Sequence, residues 1–195
     1  MRTISTRFKP SLALIAGSLI APSAFAHSNL LMESSLISGL LHPLTGIDHL
    51  LALLAVGFWA GQQHLKDNRV VPFTLFSMLL VGFFLALNGL MLPAIETGIA
   101  VSVLVLGLMV SKVINLKSVV ALPLIALFAI YHGSAHGAEL GSAGVAAFAS
   151  GFMLSTALLF WAGKTLADQI NRTIPKLNAW AGTGIALFGA MFLVA

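Results

Sequence analysis

The hydrophobic pattern of this chain consists of long apolar runs separated by short polar joints. Six runs are each close to the ~20 residues that an α-helix needs to cross the hydrocarbon of a bilayer. They cover residues 37–60, 70–92, 94–112, 118–138, 142–163 and 178–195. Helices of a soluble bundle carry a polar face, and these runs do not supply one. The pattern therefore predicts an all-α fold, an integral membrane helical bundle with six transmembrane helices.

The N-terminal segment is typical of a cleavable secretory signal peptide. Three basic residues precede a short apolar run at 11–21, and residues 24–26 have the small-x-small form of a cleavage site. Cleavage there divides the chain into a signal peptide, 1–26, and a six-helix transmembrane domain, 27–195, that begins with His27. The alternative is an uncleaved N-terminal anchor, which is less favoured because its apolar run is short for a span.

Positive charges after the signal segment are distributed unevenly among the joints. All of them follow the first, third and fifth runs: Lys66, Arg69, Lys112, Lys117, Lys164, Arg172 and Lys176. Because cytoplasmic loops are enriched in Lys and Arg, both ends of the mature chain are expected outside, in the periplasm. We therefore expect a multi-pass protein of the bacterial inner membrane that contacts the lipid bilayer. A nucleic acid is not expected as a partner.

Composition excludes several kinds of chemistry. The chain is 58% hydrophobic and 8% charged, and it contains no cysteine. Disulfides, thiolate metal sites and iron–sulfur clusters are therefore excluded. The sequence also lacks the G-x-x-x-x-G-K-[ST] pattern of P-loop nucleotide-binding proteins, so no ATPase domain is expected in this chain.

The first of two runs with concentrated ionisable residues extends from His42 to His49 and includes Asp48. Proline suits the first turn of a helix, so the first transmembrane helix is expected to begin at Pro43, with His42 at its outer end. On a continuous helix the two histidines would be about 10 Å apart along the axis. They would then bind an ion one after the other along a path. They could share one metal only if the chain breaks near Pro43 or Gly46. Asp48 either belongs to the site or only orients a histidine.

The second run contains His132, His136 and Glu139, spaced so that all three project from one face of a helix. Helical metal sites use such spacings. Imidazole beside carboxylate is the ligand mixture that nickel, cobalt and zinc accept. Glycines at every fourth position form a parallel stripe that would let another helix approach closely. The alternative is that these glycines break the helix and leave the histidines in an outer loop.

Two further residues are candidates for metal binding. Glu96 follows Pro93 near the outer end of the third run, where the helix dipole also favours an acid, so a structural role is equally supported. His27 would carry a free α-amine after signal cleavage, and amine and imidazole together can chelate a divalent ion.

The two runs resemble the motifs of the HupE/UreJ family. They read His42-x5-Asp48-His49, followed by Leu-Leu-Ala-Leu-Leu-Ala-Val-Gly, and His-Gly-x-Ala-His-Gly-x-Glu. The resemblance covers the whole mature chain and implies a nickel or cobalt permease associated with hydrogenase or urease maturation. Tyr131 stands where the family leads us to expect Phe. By motif match the resemblance points to His42, Asp48, His49, Glu96, His132, His136 and Glu139 as metal-handling residues.

The resulting hypothesis is a secondary permease, not an enzyme, that carries Ni²⁺ or Co²⁺ and holds no prosthetic group. Ligands are expected on the first, third and fourth transmembrane helices. Assembly into a homo-oligomer is compatible with this hypothesis. One alternative is an intramembrane zinc hydrolase with Asp48, His132 and His136 as ligands and Glu139 or Ser134 in support. A second is a haem-binding membrane cytochrome with axial histidines.

Overall fold

The computed structural model describes residues 36–63, 69–140 and 144–194. Within these ranges the chain forms seven α-helices and no strand, which confirms the all-α prediction. The helices are α1 Leu36–Thr45, α2 Ile47–Gln62, α3 Val70–Leu87, α4 Ile95–Val110, α5 Ser118–Glu139, α6 Val145–Thr173 and α7 Leu177–Val194. The predicted signal peptide and His27 lie outside the described residues.

Four of these helices, α3, α5, α6 and α7, are each long and apolar enough to cross a bilayer. Helices α1 and α2 reach that length only as a pair, which raises the number of candidate spans to five. Helix α4 occupies the predicted third run, but its 16 residues rise only about 24 Å. Large apolar side chains such as Phe73, Val119 and Trp180 project outward from the helices. Apolar helices of this kind indicate a multi-pass membrane protein, and the count of six spans stays a prediction.

The first apolar run forms two helices and not one. Helix α1 begins at Leu36, so the expected start at Pro43 is wrong; this proline lies inside α1. The chain then turns by 84° between α1 and α2. Gly46, between the two helices, has an extended backbone with φ −86° and ψ 113°. The hydroxyl of Thr45 donates to the carbonyl oxygen of His42 at 2.9 Å and so satisfies one group at the end of α1.

Helix α6 is longer than its apolar run predicted, since it continues beyond residue 163 to Thr173. Lys164 and Asp168 form an ion pair of 3.2 Å across one turn of this extension. Such an i, i+4 pair stabilises a helix by about 0.2–0.5 kcal/mol and so contributes modestly to this extension beyond the hydrophobic pattern.

Glycines bring the helices into backbone contact. A methyl group at Gly133 would overlap the carbonyl oxygen of Leu79, so α5 and α3 lie close together, as the glycine stripe predicted. Helices α2 and α6 approach in the same way at Gly57 and Gly163. Helix α7 meets α4 at Gly182. Close packing through small residues is the usual way in which helices associate where lipid removes the hydrophobic drive between them.

Candidate metal site

The break at Gly46 brings two predicted site residues together. The ring centroids of His42, on α1, and His49, on α2, are 6.1 Å apart. A continuous helix would separate these residues by about 10 Å along its axis. Because the chain breaks at Gly46, the two histidines are close enough to share one site. The wide separation expected on an unbroken helix is not observed.

Helix α5 remains unbroken through its glycines and presents its two histidines to those of α1 and α2. His136 lies 4.8 Å from His42 and 4.8 Å from His49 between ring centroids. His132, one turn away, lies 5.0 Å from His49. The four imidazoles thus form a continuous cluster in which His136 contacts both histidines of the first run. The alternative of an outer loop is wrong for these histidines, because the helix includes both of them.

One end of this cluster, which we call the outer group, consists of His42, His136 and Glu139. One ligand atom from each of the three lies within 4.8 Å of the other two. The Nε2 atom of His42 is 2.6 Å from a carboxylate oxygen of Glu139. Metal–ligand bonds of 2.0–2.2 Å place neighbouring ligand atoms roughly 3–3.5 Å apart. A small rearrangement, in which the widest of these distances shortens and the contact between His42 and Glu139 lengthens, would therefore fit a divalent transition-metal ion.

The other end, which we call the inner group, consists of Asp48, His49 and His132. One carboxylate oxygen of Asp48 accepts hydrogen bonds from the backbone N–H of His49 at 2.8 Å and from its Nδ1 at 2.9 Å. The Nδ1 of His132 donates to the carbonyl oxygen of Phe128 at 2.9 Å. Because both Nδ1 atoms donate, each Nε2 carries the lone pair that a metal needs. Asp48 does orient a histidine, and this carboxylate–histidine arrangement is common around bound metals.

Four buried imidazole nitrogens in the described part of the chain have no hydrogen-bond partner. They are His49 Nε2, His132 Nε2, His136 Nδ1 and His136 Nε2. Burying a polar nitrogen without a partner is costly, since water no longer solvates it. Four such atoms within one cluster are the arrangement expected of a site that binds a ligand or water.

The cluster is open at one end and closed at the other. The side chains of His42 and Glu139 are 28% and 49% exposed, whereas His132 is 3% exposed. Beyond His132 lies a cavity of only about 10 Å³, lined by apolar residues that include Leu53 and Leu106. The outer group is therefore the accessible end of the cluster, and closely packed apolar side chains follow the inner group.

Of the predicted site residues that the structure describes, Glu96 is not placed in the cluster. Glu96 lies exposed in the first turn of α4, and no described contact joins it to the four histidines. Tyr131 packs against Gly98 of α4 and so faces away from the imidazoles. The described site therefore combines α1, α2 and α5, and a metal role for Glu96 stays a prediction, as does one for His27.

Sequence reasoning missed the aromatic wall of the site. Phe152 on α6 stacks on His136, with centroids 4.9 Å apart and planes at 27°. Phe148, one turn earlier, lies 5.6 Å from His42. Their spacing of four residues was the available signal, but phenylalanines at helical spacing are common in apolar runs. The two rings of α6 thus pack against the imidazoles of His42 and His136.

Two comparisons with known proteins match most of this chain. The sequence model of the HupE / UreJ protein family matches residues 14–192. Protein HupE of Rhizobium leguminosarum bv. viciae is 36% identical over 179 residues, which cover 90% of this chain and 93% of that protein. No solved structure matches the chain significantly. Family match and relative both extend over nearly the whole sequence, and the chain belongs to the HupE/UreJ family.

Proposed function

We propose that this protein is a secondary permease that carries nickel, and in second place cobalt, across the bacterial inner membrane. The ion would serve the maturation of metalloenzymes such as hydrogenase or urease, the process with which the family is associated. The observation that carries this proposal is the cluster of four imidazoles and two carboxylates inside a bundle of apolar helices.

The ligand types support a borderline transition metal. Imidazole suits nickel, cobalt, copper and zinc, whereas magnesium and calcium prefer sites made of oxygen atoms alone. Ionisable residues inside a membrane bundle are costly and mark ion pathways when they converge. Two carboxylates, Asp48 and Glu139, also balance the charge of a divalent ion.

The geometry supports a sequence of steps. An ion arriving from outside meets the exposed pair His42 and Glu139, which replace part of its hydration shell. His136 joins them and is then shared with the inner group, because it contacts both His42 and His49. The ion then passes to the Nε2 atoms of His49 and His132. The hydrogen bonds at Nδ1 orient both rings so that Nε2 can bind the ion. His136 is thus the transfer ligand of the path.

The driving force needs no nucleotide. A cell-negative potential of 100 mV favours entry of each positive charge by about 2.3 kcal/mol, and a divalent ion gains about twice that. The potential alone would therefore draw the ion inward.

Nickel uptake into liposomes containing the purified protein tests this proposal. We expect uptake driven by an inside-negative potential and its loss in His136→Ala, compared at equal content of folded protein in the liposomes. Equal uptake into protein-free liposomes would contradict transport. A tightly retained zinc with lipid or peptide cleavage would instead favour the hydrolase, and a haem absorption band would favour the cytochrome.

A further inference from the structure

Helix α6 carries two buried hydroxyls that the proposed path does not yet use. Ser155 is 1% exposed and Thr156 is fully buried, and neither side-chain oxygen has a hydrogen-bond partner. The other buried serines in the described part of the chain do donate: Ser102 to Ile99, Ser111 to Leu108 and Ser134 to Gly82, each at a backbone carbonyl. A hydroxyl in a helix normally finds such a carbonyl, so the two exceptions require another explanation.

The position of Thr156 follows from its neighbours on the same face of α6. Phe152, four residues earlier, stacks on His136 and lies 5.1 Å from Phe83 of α3. Phe160, four residues later, lies 6.1 Å from Phe76, which also belongs to α3. Residues at this spacing share one face, so Thr156 faces the interior between these two aromatic contacts, one turn beyond His136.

Ser155 lies on the adjacent face, which packs against α1 and α2. Gly151, four residues earlier, meets the backbone of Leu36, and Gly163, eight residues later, meets the backbone of Leu54. Ser155 thus lies on the face packed against the helices of His42 and His49, and Thr156 lies on the face that carries Phe152, the ring stacked on His136.

The register between α2 and α6 gives the depth of the hydroxyls. Gly57 lies against Phe160, and Gly61 lies against Lys164, so the two helices run parallel with a constant offset. With that offset, Thr156 is level with Leu53, one turn deeper than His49. Leu53 lines the small cavity that begins at His132. The hydroxyls therefore stand at the depth where the imidazole ligands end.

We propose that Ser155 and Thr156 form an inner hydroxyl pair that receives the divalent ion and its remaining water after the histidines release it. This inference rests on the proposed permease function and adds a role for α6. Each hydroxyl offers an oxygen lone pair to the ion and an O–H to a water bound to it. The small cavity at this depth is lined by apolar side chains, and hydroxyls on the neighbouring helix α6 would lower the barrier to leaving the imidazoles.

Thr156→Val tests the proposal, because valine keeps the shape of threonine and removes only the hydroxyl. We expect the maximal rate of nickel uptake into liposomes to fall about tenfold, the effect of one lost hydrogen bond to a charged species. The nickel concentration for half-maximal uptake should stay unchanged, because the imidazoles that capture the ion are intact. Thr156→Ser should restore the rate, and the double variant Ser155→Ala/Thr156→Val should be slower than either single variant.

A purely structural role of the two hydroxyls predicts a different result for Thr156→Val. Removing an unsatisfied buried hydroxyl should then raise the melting temperature and leave uptake unchanged. Ser102→Ala is the matched control: its hydroxyl is buried but bonded to its own helix, so its loss should not change the uptake rate. If Thr156→Val does not accumulate, Ser155→Ala is judged by the same criteria.

The outcomes separate the two proposals. Loss of uptake in His136→Ala with wild-type uptake in the double variant would overturn the inner hydroxyl pair and leave the permease standing. Wild-type uptake in His136→Ala would remove the histidine path, and wild-type protein that moves no nickel would overturn both proposals.

Discussion

Two regions of the molecule place histidines with the help of glycine, and they do so in opposite ways. At Gly46 the chain leaves the helix and turns by 84°, whereas α5 runs unbroken through Gly133 and Gly137. The glycines of α5 lie against the backbone of α3, which fixes them in the helix. The three atoms nearest to a methyl group placed at Gly46 belong to its neighbours Asp48 and His49. Packing partners, not residue type, therefore decide whether glycine continues or ends a helix here.

The largest effect that this comparison predicts concerns the packed glycine. Gly133→Val would drive a branched side chain into the backbone of α3, and separation of the two helices should prevent accumulation of folded protein. Membrane abundance and the monodispersity of the detergent-solubilised protein measure this loss. Gly184→Val is the matched control, because a Cβ atom at Gly184 meets nothing within 4 Å. Normal accumulation of Gly133→Val would show that the α3–α5 contact tolerates separation.

A second prediction concerns the carboxylate beside the break. Asp48→Asn keeps the size of the side chain but weakens the acceptor that orients His49, so nickel uptake should fall about 10- to 100-fold. Protein abundance should not change, because the exchange leaves the helix packing intact. Initial uptake rates at equal protein content provide the measurement, and a wild-type rate would exclude Asp48 as an orienting residue.

Substitution at the break itself should have a smaller effect. Alanine tolerates the extended backbone of Gly46, but its Cβ atom would lie 2.9 Å from Oδ1 of Asp48 and 3.1 Å from Nδ1 of His49. Gly46→Ala should therefore displace these side chains and reduce uptake by about the effect of one weakened hydrogen bond, a few-fold, while the protein folds normally. The comparison of Gly46→Ala with Gly133→Val tests directly whether the two kinds of glycine differ.

The smallest predicted difference lies between two glutamates. Glu139→Gln should raise the nickel concentration for half-maximal uptake, because Glu139 contacts His42 in the outer group. Glu96→Gln should leave that concentration unchanged and alter only the maximal rate, because Glu96 lies outside the described cluster. Saturation curves for both variants decide the matter, and an equal rise in both would place Glu96 among the ligands.

Much of the fold could be predicted because a bilayer imposes strict lengths on apolar helices. The starts of α3, α4 and α5 lie within one residue of the predicted runs, which began at residues 70, 94 and 118. The sequence left a break near Pro43 or Gly46 as an alternative but could not decide it, since the glycines of α5 have the same intrinsic preference and remain helical. Whether a glycine has a backbone packed against it depends on distant parts of the chain.

The candidate site was predictable to the extent that its ligands differ chemically from their surroundings. Histidines and carboxylates are conspicuous in an apolar sequence, and six of the predicted residues meet in one cluster. Phe152 was not recognised because it resembles every other apolar residue of its helix. The unpartnered hydroxyls were equally hidden, since only the folded structure shows which serines and threonines find a carbonyl.

The long sequence separation between α1 and α6 has a consequence for biosynthesis. Gly39 of α1 rests on Phe148, and Gly151 of α6 rests on Leu36, so α1 obtains its support from a helix made about 100 residues later. At translation rates of about 5–20 residues per second, the nascent chain waits about 5–20 s for that support. During this interval His42 has no fixed place beside His136. A ribosome that stalls before α6 would leave the two motifs in the membrane unassembled.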